Sequence, residues 1–339
     1  MNKNTYILGI ESSCDDTAAA IIHNEVVLSN VVASQKIHEE FGGVVPELAS
    51  RAHQQNIVPV VHQALRKANI DKKQLSAIAF TQGPGLMGSL LVGTSFAKSL
   101  AMGLGIPLIA VNHMQAHILA HFIKAEDQTA PTFPFIALTI SGGHTQIVKV
   151  TDYFSMEILG ETIDDAVGEA FDKSAKILGL PYPGGPLIDK YAQKGNPRAY
   201  PFTKPKVGDL EFSFSGLKTA VLYFIERETK KKPNFITENI EDICASIQYT
   251  IVDYLMDKLK NAAAFTGINR IAIGGGVSAN SGIRNALKNA EKDLGWKTYI
   301  PRFEYCTDNA AMIAIVGELK FKANQFSENN LVAKARMKF

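Results

Sequence analysis

His113 and His117 stand four residues apart in NHMQAHILA, a spacing that lets two imidazoles on one helix face hold a single metal ion. His121 continues the series, but at 1.5 Å of rise per residue it lies roughly 12 Å along the axis from His113 and does not share an ion with it. A third ligand must come from elsewhere, and Asp308 in YCTDNAAM offers a carboxylate at an expected loop-to-helix junction. Two imidazoles and a carboxylate suit zinc or iron(II), with positions left open to a substrate oxygen. The alternative is that the histidines are plain core or surface residues. A zinc-protease reading fails on the intervening residues: an HExxH helix carries its general base directly after the first histidine, and here that position is Met114, followed by Gln115 and Ala116.

Three turns add polar chemistry. TISGGHT (139–145) and IAIGGGVSAN (271–280) each end an apolar stretch in consecutive glycines, where exposed backbone amides can take a phosphate chain. The Asn280 amide both donates and accepts. A tight structural turn is the equal alternative for the second. In EAFDKSAKILGLPYPGGPLIDK, Asp172 lies one helical turn from Glu169, Pro183 to Pro186 shape a stiff loop, and Asp189 follows on an expected short helix. These carboxylates could bind ribose hydroxyls or simply cap helices. GIESSCDDT crowds Glu11, Asp15 and Asp16 together. Direct contact with phosphate would be repulsive, so Asp15 is expected to act through magnesium or a substrate hydroxyl. Cys14 reads as a small buried residue.

The elements that must hold these turns follow from pattern. TYILGIESSCDDTAAAIIHNEVVLSNVVAS reads as strand, acidic turn and two further strands, and FIALTISGGHTQIVKVTDY repeats that logic. Residues 53–69 predict an amphipathic helix in which Pro59 imposes a kink or marks a first turn. Leu90 to Met102, 164–178, 240–264 and a stretch from Ser281 predict further helices, and Asn112 caps the histidine helix. GxGxxG is absent after the first strand, which removes the dinucleotide-binding alternative. The expected lobes are residues 1–128 and 129–325, with 326–339 a tail returning to the first lobe.

With 339 residues, 46% hydrophobic, the chain can bury two α/β cores. A net charge of +2 does not by itself indicate nucleic-acid binding, and the basic runs RKANIDKK, KTAVLYFIERETKKK and KARMKF read as solvated faces that could contact phosphates. Three cysteines, Cys14, Cys244 and Cys306, fit a reducing compartment. The apolar tract from Ser89 to Val111 carries Lys98 and Pro107 and reads as a buried helix and strand. Cytoplasmic residence without a membrane partner is the expectation.

GIESSCDDT, HEEFGGVVPELASRAH, TQGPGLMGSLLVG, NHMQAHILA, LTISGGHTQ, GEAFDKSAKILGLPYPGGP, FSFSGLKTA and GGGVSANSGIR occur in one order over essentially the whole chain. Together they resemble the bacterial branch of the universal tRNA threonylcarbamoyltransferase family, once described as O-sialoglycoprotein endopeptidases. The resemblance implies the actin, sugar-kinase and Hsp70-like ATPase fold, two α/β lobes around a nucleotide cleft. It implies His113, His117 and Asp308 as iron or zinc ligands. It implies Thr139, Ile140, Ser141, Gly142 and Gly143 at the phosphate and threonylcarbamoyl group, and Asp172, Gly185, Asp189 and Asn280 around the adenylate. Family members commonly have Glu-Gly between the metal histidines where this chain has Gln115-Ala116, a departure that bears on helix packing and metal identity. The implied reaction moves threonylcarbamoyl from threonylcarbamoyl-adenylate to N6 of adenosine 37 in tRNAs reading codons that begin with adenine. No protein nucleophile is needed because the donor is already activated. Implied partners are tRNA, a smaller paralogous subunit and a P-loop ATPase, and the isolated chain is expected to be weak or inactive. A small-molecule kinase of the same fold and a non-catalytic nucleotide-regulated module are the competing readings.

Overall fold

The computed structural model describes residues 5–35 and 37–339. The chain opens with three antiparallel strands, β1 (Tyr6–Glu11), β2 (Thr17–His23) and β3 (Val26–Ala33), followed by helices α1 (Ile37–Phe41) and α2 (Pro46–Ala68). Strand β4 (Ala77–Gly83), helix α3 (Met87–Leu104), strand β5 (Leu108–Asn112) and the histidine helix α4 (His113–Leu119) complete this stretch. The sheet order is β3-β2-β1-β4-β5, with β4 parallel to both β1 and β5. Both faces of β1 and β4 are covered, so these strands read as continuous apolar runs.

Helix α2 is longer than the pattern predicted. It begins at Pro46, whose missing N–H costs nothing at a first helical position, and ends at Asn69 with φ 53°. Pro59 sits well inside the helix. Proline there leaves the carbonyl of Gln55 without its helical donor, and both residues are exposed, so water can replace it.

From residue 132 the same topology is built again. Strands β6 (Phe135–Ile140), β7 (Thr145–Asp152) and β8 (Ser155–Glu161) form an antiparallel meander, then come α5 (Val167–Ile177), α6 (Gly185–Ala192), α7 (Ser215–Lys231) and α8 (Phe235–Thr266). Asn239 breaks the helical dihedrals of α8 near its start, close to where the sequence pattern placed its beginning. Strand β9 (Arg270–Gly274), helix α9 (Ser281–Leu294) and strand β10 (Lys297–Tyr299) follow, giving the order β10-β9-β6-β7-β8. Phe171, Phe212 and Phe214 anchor this unit's core.

Helix α10 (Ala310–Lys322) departs from the expected lobes. Residues 301–339 belong with 1–131 as one compact unit, and 132–300 form the other. The second lobe, predicted to run to residue 325, therefore ends at residue 300. The reason is close packing of small residues: a Cβ on Gly9 would meet the Ala310 carbonyl oxygen at 2.5 Å, and one on Gly317 would meet the Ala79 Cβ at 2.4 Å. Glycine at both positions lets α10 lie flat on β1 and β4, burying every residue from Ala310 to Leu319. Among the described residues no helix is long and apolar enough to cross a membrane.

Candidate metal centre and glycine turns

The packing of α10 delivers Asp308, two residues before the helix, to the histidines. Asn309 caps α10 through Met312 N–H, just as Asn112 caps α4 by accepting from the Met114 and Gln115 N–H groups. Two capped N-termini thus fix the three side chains. Asp308 Oδ1 lies 3.4 Å from His113 Nε2 and 3.3 Å from His117 Nε2. Tetrahedral ligands at about 2.1 Å from an ion are separated by about 3.4 Å, so these spacings fit one metal. His117 is 1% exposed, and among the described residues neither of its ring nitrogens has a hydrogen-bond partner beyond the long contact of Nε2 with Asp308. An imidazole buried in that way costs about 1–3 kcal/mol unless something binds it, and the Asp308 oxygen shared by both rings marks where that something sits. Gln115 and Ala116 are buried along the regular helix, so the substituted pair leaves the ligand spacing intact.

A residue outside the expected ligand set completes the centre. Glu11, fully buried at the end of β1, places Oε2 3.0 Å from His113 Nδ1 and accepts from the Thr81 hydroxyl at 2.7 Å. The Ser13 hydroxyl is 3.2 Å from the same nitrogen. A carboxylate behind a ligating imidazole fixes its tautomer and strengthens its metal-facing nitrogen. Burial opposes charge on His113, but the Glu11 and Asp308 carboxylates outweigh it and raise its pKa well above the usual imidazole value. Burial likewise opposes ionisation of Asp308, and His113 overcomes it, holding Asp308 well below the usual carboxylate range.

The acidic turn is clamped from α2. His53 is fully buried, with Nδ1 2.8 Å from the Thr17 hydroxyl and Nε2 3.0 Å from the Cys14 carbonyl. Burial lowers its pKa, so the neutral ring donates from Nε2 to Cys14 and accepts from Thr17. Burial pushes the Cys14 thiol far up, matching its reading as an inert residue. Asp15 is half-buried in the same turn. Burial, then the neighbouring charges of Asp15 and Asp308, push Asp16 up to about 7. A carboxyl raised in the folded state costs stability once it ionises, so that cost is absent below the unfolded value near 4 and complete above about 7. Asp16→Asn is expected to stabilise the protein by about 1–3 kcal/mol at pH 8, allowing for solvent screening, and to change little at pH 4. Denaturant unfolding at the two pH values checks this, and an equal effect at both contradicts it.

In the second unit, Thr139 and Ile140 are buried at the end of β6, where Ser141 closes a short turn: its N–H donates to the His144 carbonyl at 2.9 Å and its hydroxyl accepts from His144 N–H at 3.1 Å. Gly142 and Gly143 are exposed and have open space where side chains would stand. Gly275 has φ +90°, and a Cβ there would meet the Ile140 carbonyl oxygen at 2.4 Å, which docks the GGG turn against the TISGG turn. Gly275→Ala is expected to cost about 2 kcal/mol or more from the left-handed backbone and the clash. A lowered unfolding midpoint checks it, and an unchanged midpoint contradicts it.

The expected adenylate residues are engaged with backbone. Asp172 Oδ1 accepts from Gly184 and Gly185 N–H at 2.8 and 3.0 Å, tying α5 to the start of α6. Asp189 accepts from Ser281 N–H and hydroxyl at 3.1 and 2.6 Å. Asn280 caps α9 through Ile283 N–H and donates to Gln248 at 2.7 Å. Asp172 holds the N-terminus of α6, and Asp189 and Asn280 hold that of α9, so capping describes what their side chains do in this structure.

Comparison with known proteins places these features in a group. Residues 26–315 match the family model for TsaD, tRNA N6-adenosine threonylcarbamoyltransferase. A protein with that name from Christiangramia forsetii is 72% identical over 333 residues, covering 98% of both chains, and one from Riemerella anatipestifer is 62% identical over 334 residues, also covering 98% of both. Among solved structures, full-length HypF in a phosphate- and nucleotide-bound form superimposes with TM-score 0.62 at 14% identity, covering 96% of this chain and 48% of that one. The activator of 2-hydroxyisocaproyl-CoA dehydratase from Clostridium difficile gives 0.52 at 14% identity, over 96% and 99%. At such identities the likeness concerns the fold, which is that of the actin, sugar-kinase and Hsp70-like ATPases.

Proposed function

Because the chain belongs to the tRNA N6-adenosine threonylcarbamoyltransferase family and transfers threonylcarbamoyl from threonylcarbamoyl-adenylate to N6 of adenosine 37 in tRNAs reading codons that begin with adenine, we propose a division of labour among its residues. The observation that carries the reading is the near full-length identity to relatives of that name, and nothing in it favours the kinase alternative. His113, His117 and Asp308 form the site for one iron or zinc ion. When bound, the ion supplies Lewis acidity to the threonylcarbamoyl oxygen. Thr139 to Gly143 receive the phosphate and threonylcarbamoyl portion, with the exposed Gly142 and Gly143 offering the open backbone of the turn, and Asp172, Gly185, Asp189 and Asn280 shape the surroundings of the adenosine. Asp15 orients a substrate hydroxyl, or a magnesium ion that accompanies the nucleotide.

The donor is a mixed anhydride, so the chain's task is orientation and charge stabilisation. The adenosine N6 forms a bond to the carbamoyl carbon, the bond from that carbon to the phosphate oxygen breaks, AMP leaves, and the N6 proton passes to water. The acceptor base lies in a single-stranded anticodon loop and reaches the enzyme without duplex opening. We place the reaction in the cytoplasm, with a smaller paralogous subunit and a P-loop ATPase as partners, and expect little turnover from the chain alone.

The test is transfer of labelled threonylcarbamoyl from its adenylate to unmodified tRNA, with both partners present and this chain added or omitted. Chain-dependent label on adenosine 37 supports the reading. Absence of label, with metal-loaded chain and active partners, overturns it in favour of a kinase or a binding module.

A further inference from the structure

The acidic turn presents a difficulty for an enzyme that must receive RNA. Asp15 and Asp16 stand half-buried in one turn, and carboxylate charge there repels a phosphate backbone. A chain with net charge +2 has little long-range attraction to offset it. Attraction has to come from basic groups fixed beside that turn.

Residues 331–339 meet that requirement. They form no regular secondary structure, yet backbone contacts anchor them along the end of the first sheet. The Gln82 side chain donates to the Val332 carbonyl at 2.9 Å, and Lys334 N–H donates to the Gln82 carbonyl at 2.8 Å. Gly85 N–H donates to the Ala335 carbonyl at 3.2 Å, while the adjoining Leu86 N–H donates to the Ser13 carbonyl of the acidic turn at 2.7 Å. Asn112, the cap of the metal helix, donates its Nδ2 to the Lys338 carbonyl at 3.2 Å. The segment is thus tied both to the acidic turn and to the residue preceding His113.

Exposure along it alternates. Ala333 is buried and Ala335 and Met337 are half-buried, whereas Lys334, Arg336 and Lys338 are exposed. The backbone carbonyls hold the segment and the basic side chains face outward. Among the described residues neither Lys334 nor Arg336 takes part in an ion pair, unlike the exposed Lys231 and Arg227 of α7, which both pair with Glu228.

We propose that residues 332–338 form a phosphate-binding strip for the anticodon loop of the acceptor tRNA, with Lys334, Arg336 and Lys338 contacting its backbone beside the metal centre. This rests on the transferase reading. Backbone contacts of this kind fix orientation without reading sequence, which suits an enzyme serving a group of tRNAs.

The experiment measures binding of unmodified tRNA to the full chain with its partners present, across a range of salt concentrations. The triple variant Lys334→Gln, Arg336→Gln, Lys338→Gln is compared with wild type and with Lys288→Gln, Lys292→Gln, which removes two exposed charges from α9. The strip predicts that the triple variant binds about tenfold or more weakly and that the salt slope falls by about two, from roughly 0.7 per lost single-strand contact. It predicts unchanged metal content, and Arg336→Glu alone should weaken binding further than Arg336→Gln. An unchanged slope overturns the proposal. So does an equal loss in the α9 variant, or a triple variant that loses a partner protein while keeping its tRNA slope. Wild-type transfer alongside an unchanged slope sinks the strip alone, whereas absence of wild-type transfer sinks the transferase reading.

Discussion

His117→Ala is expected to abolish stoichiometric metal binding and to lower transfer by about 100-fold or more, the scale of losing several kcal/mol of charge stabilisation. His117 is where the largest effect should fall because its buried nitrogens are held by little else: Nε2 lies 3.3 Å from Asp308, and among the described residues Nδ1 has no hydrogen-bond partner. His113, by contrast, remains held by Glu11 and Ser13. Removing the His117 ring eliminates an orphaned buried polar group, so the metal-free variant should be no less stable than the metal-free wild type by more than the cavity cost of about 2–3 kcal/mol. Metal analysis of purified protein and single-turnover transfer give the two readouts. A variant that loses the metal and keeps full transfer sinks the role of the ion in the reaction.

The second large effect is expected at Glu11. Glu11→Gln keeps the shape of the side chain but withdraws the charge that backs His113 Nδ1, and such partners behind a ligand are worth about 10–100-fold in metal affinity. The outcome differs in kind from loss of a ligand. Transfer by Glu11→Gln should recover when metal is supplied in excess, whereas His117→Ala should not. If titration with iron or zinc shows the same affinity for wild type and Glu11→Gln, the 3.0 Å contact is structural only.

Much of this centre could be read from local sequence, because helix spacing is local. The four-residue interval between His113 and His117 and the cap at Asn112 depend on one short helix, and Asp308 before an expected helix start depends on another. Glu11 could not be assigned in the same way. Its contact with His113 spans 102 positions and exists because β1 and β5 flank β4, an arrangement no local pattern encodes. The fate of residues 301–325 was hidden for a similar reason: an apolar helix does not announce which sheet it covers, and the decisive feature is the fit of Gly9 and Gly317 against alanines. The first-turn alternative for Pro59 fails because proline's cost inside a helix depends on whether water reaches the freed carbonyl. For Asp172 and Asp189 the sequence left ligand binding and capping open, and for the turn carrying Asn280 ligand binding and a tight structural turn; the structure displays capping by all three side chains.

The discontinuous first unit has a consequence for synthesis. A ribosome releases residues 1–131, then the whole of 132–300, before it reaches the helix that covers β1 and β4. During that interval the first sheet has one apolar face without its permanent cover, while the second unit already has every strand it needs to fold as the nascent chain emerges. Asp308 arrives with that last helix, so His113 and His117 cannot be joined by their carboxylate until synthesis has passed the whole of the second unit. A truncated product therefore carries two histidines and no complete centre, and capture of the ion reports that translation has run past residue 308 and that the late helix has docked.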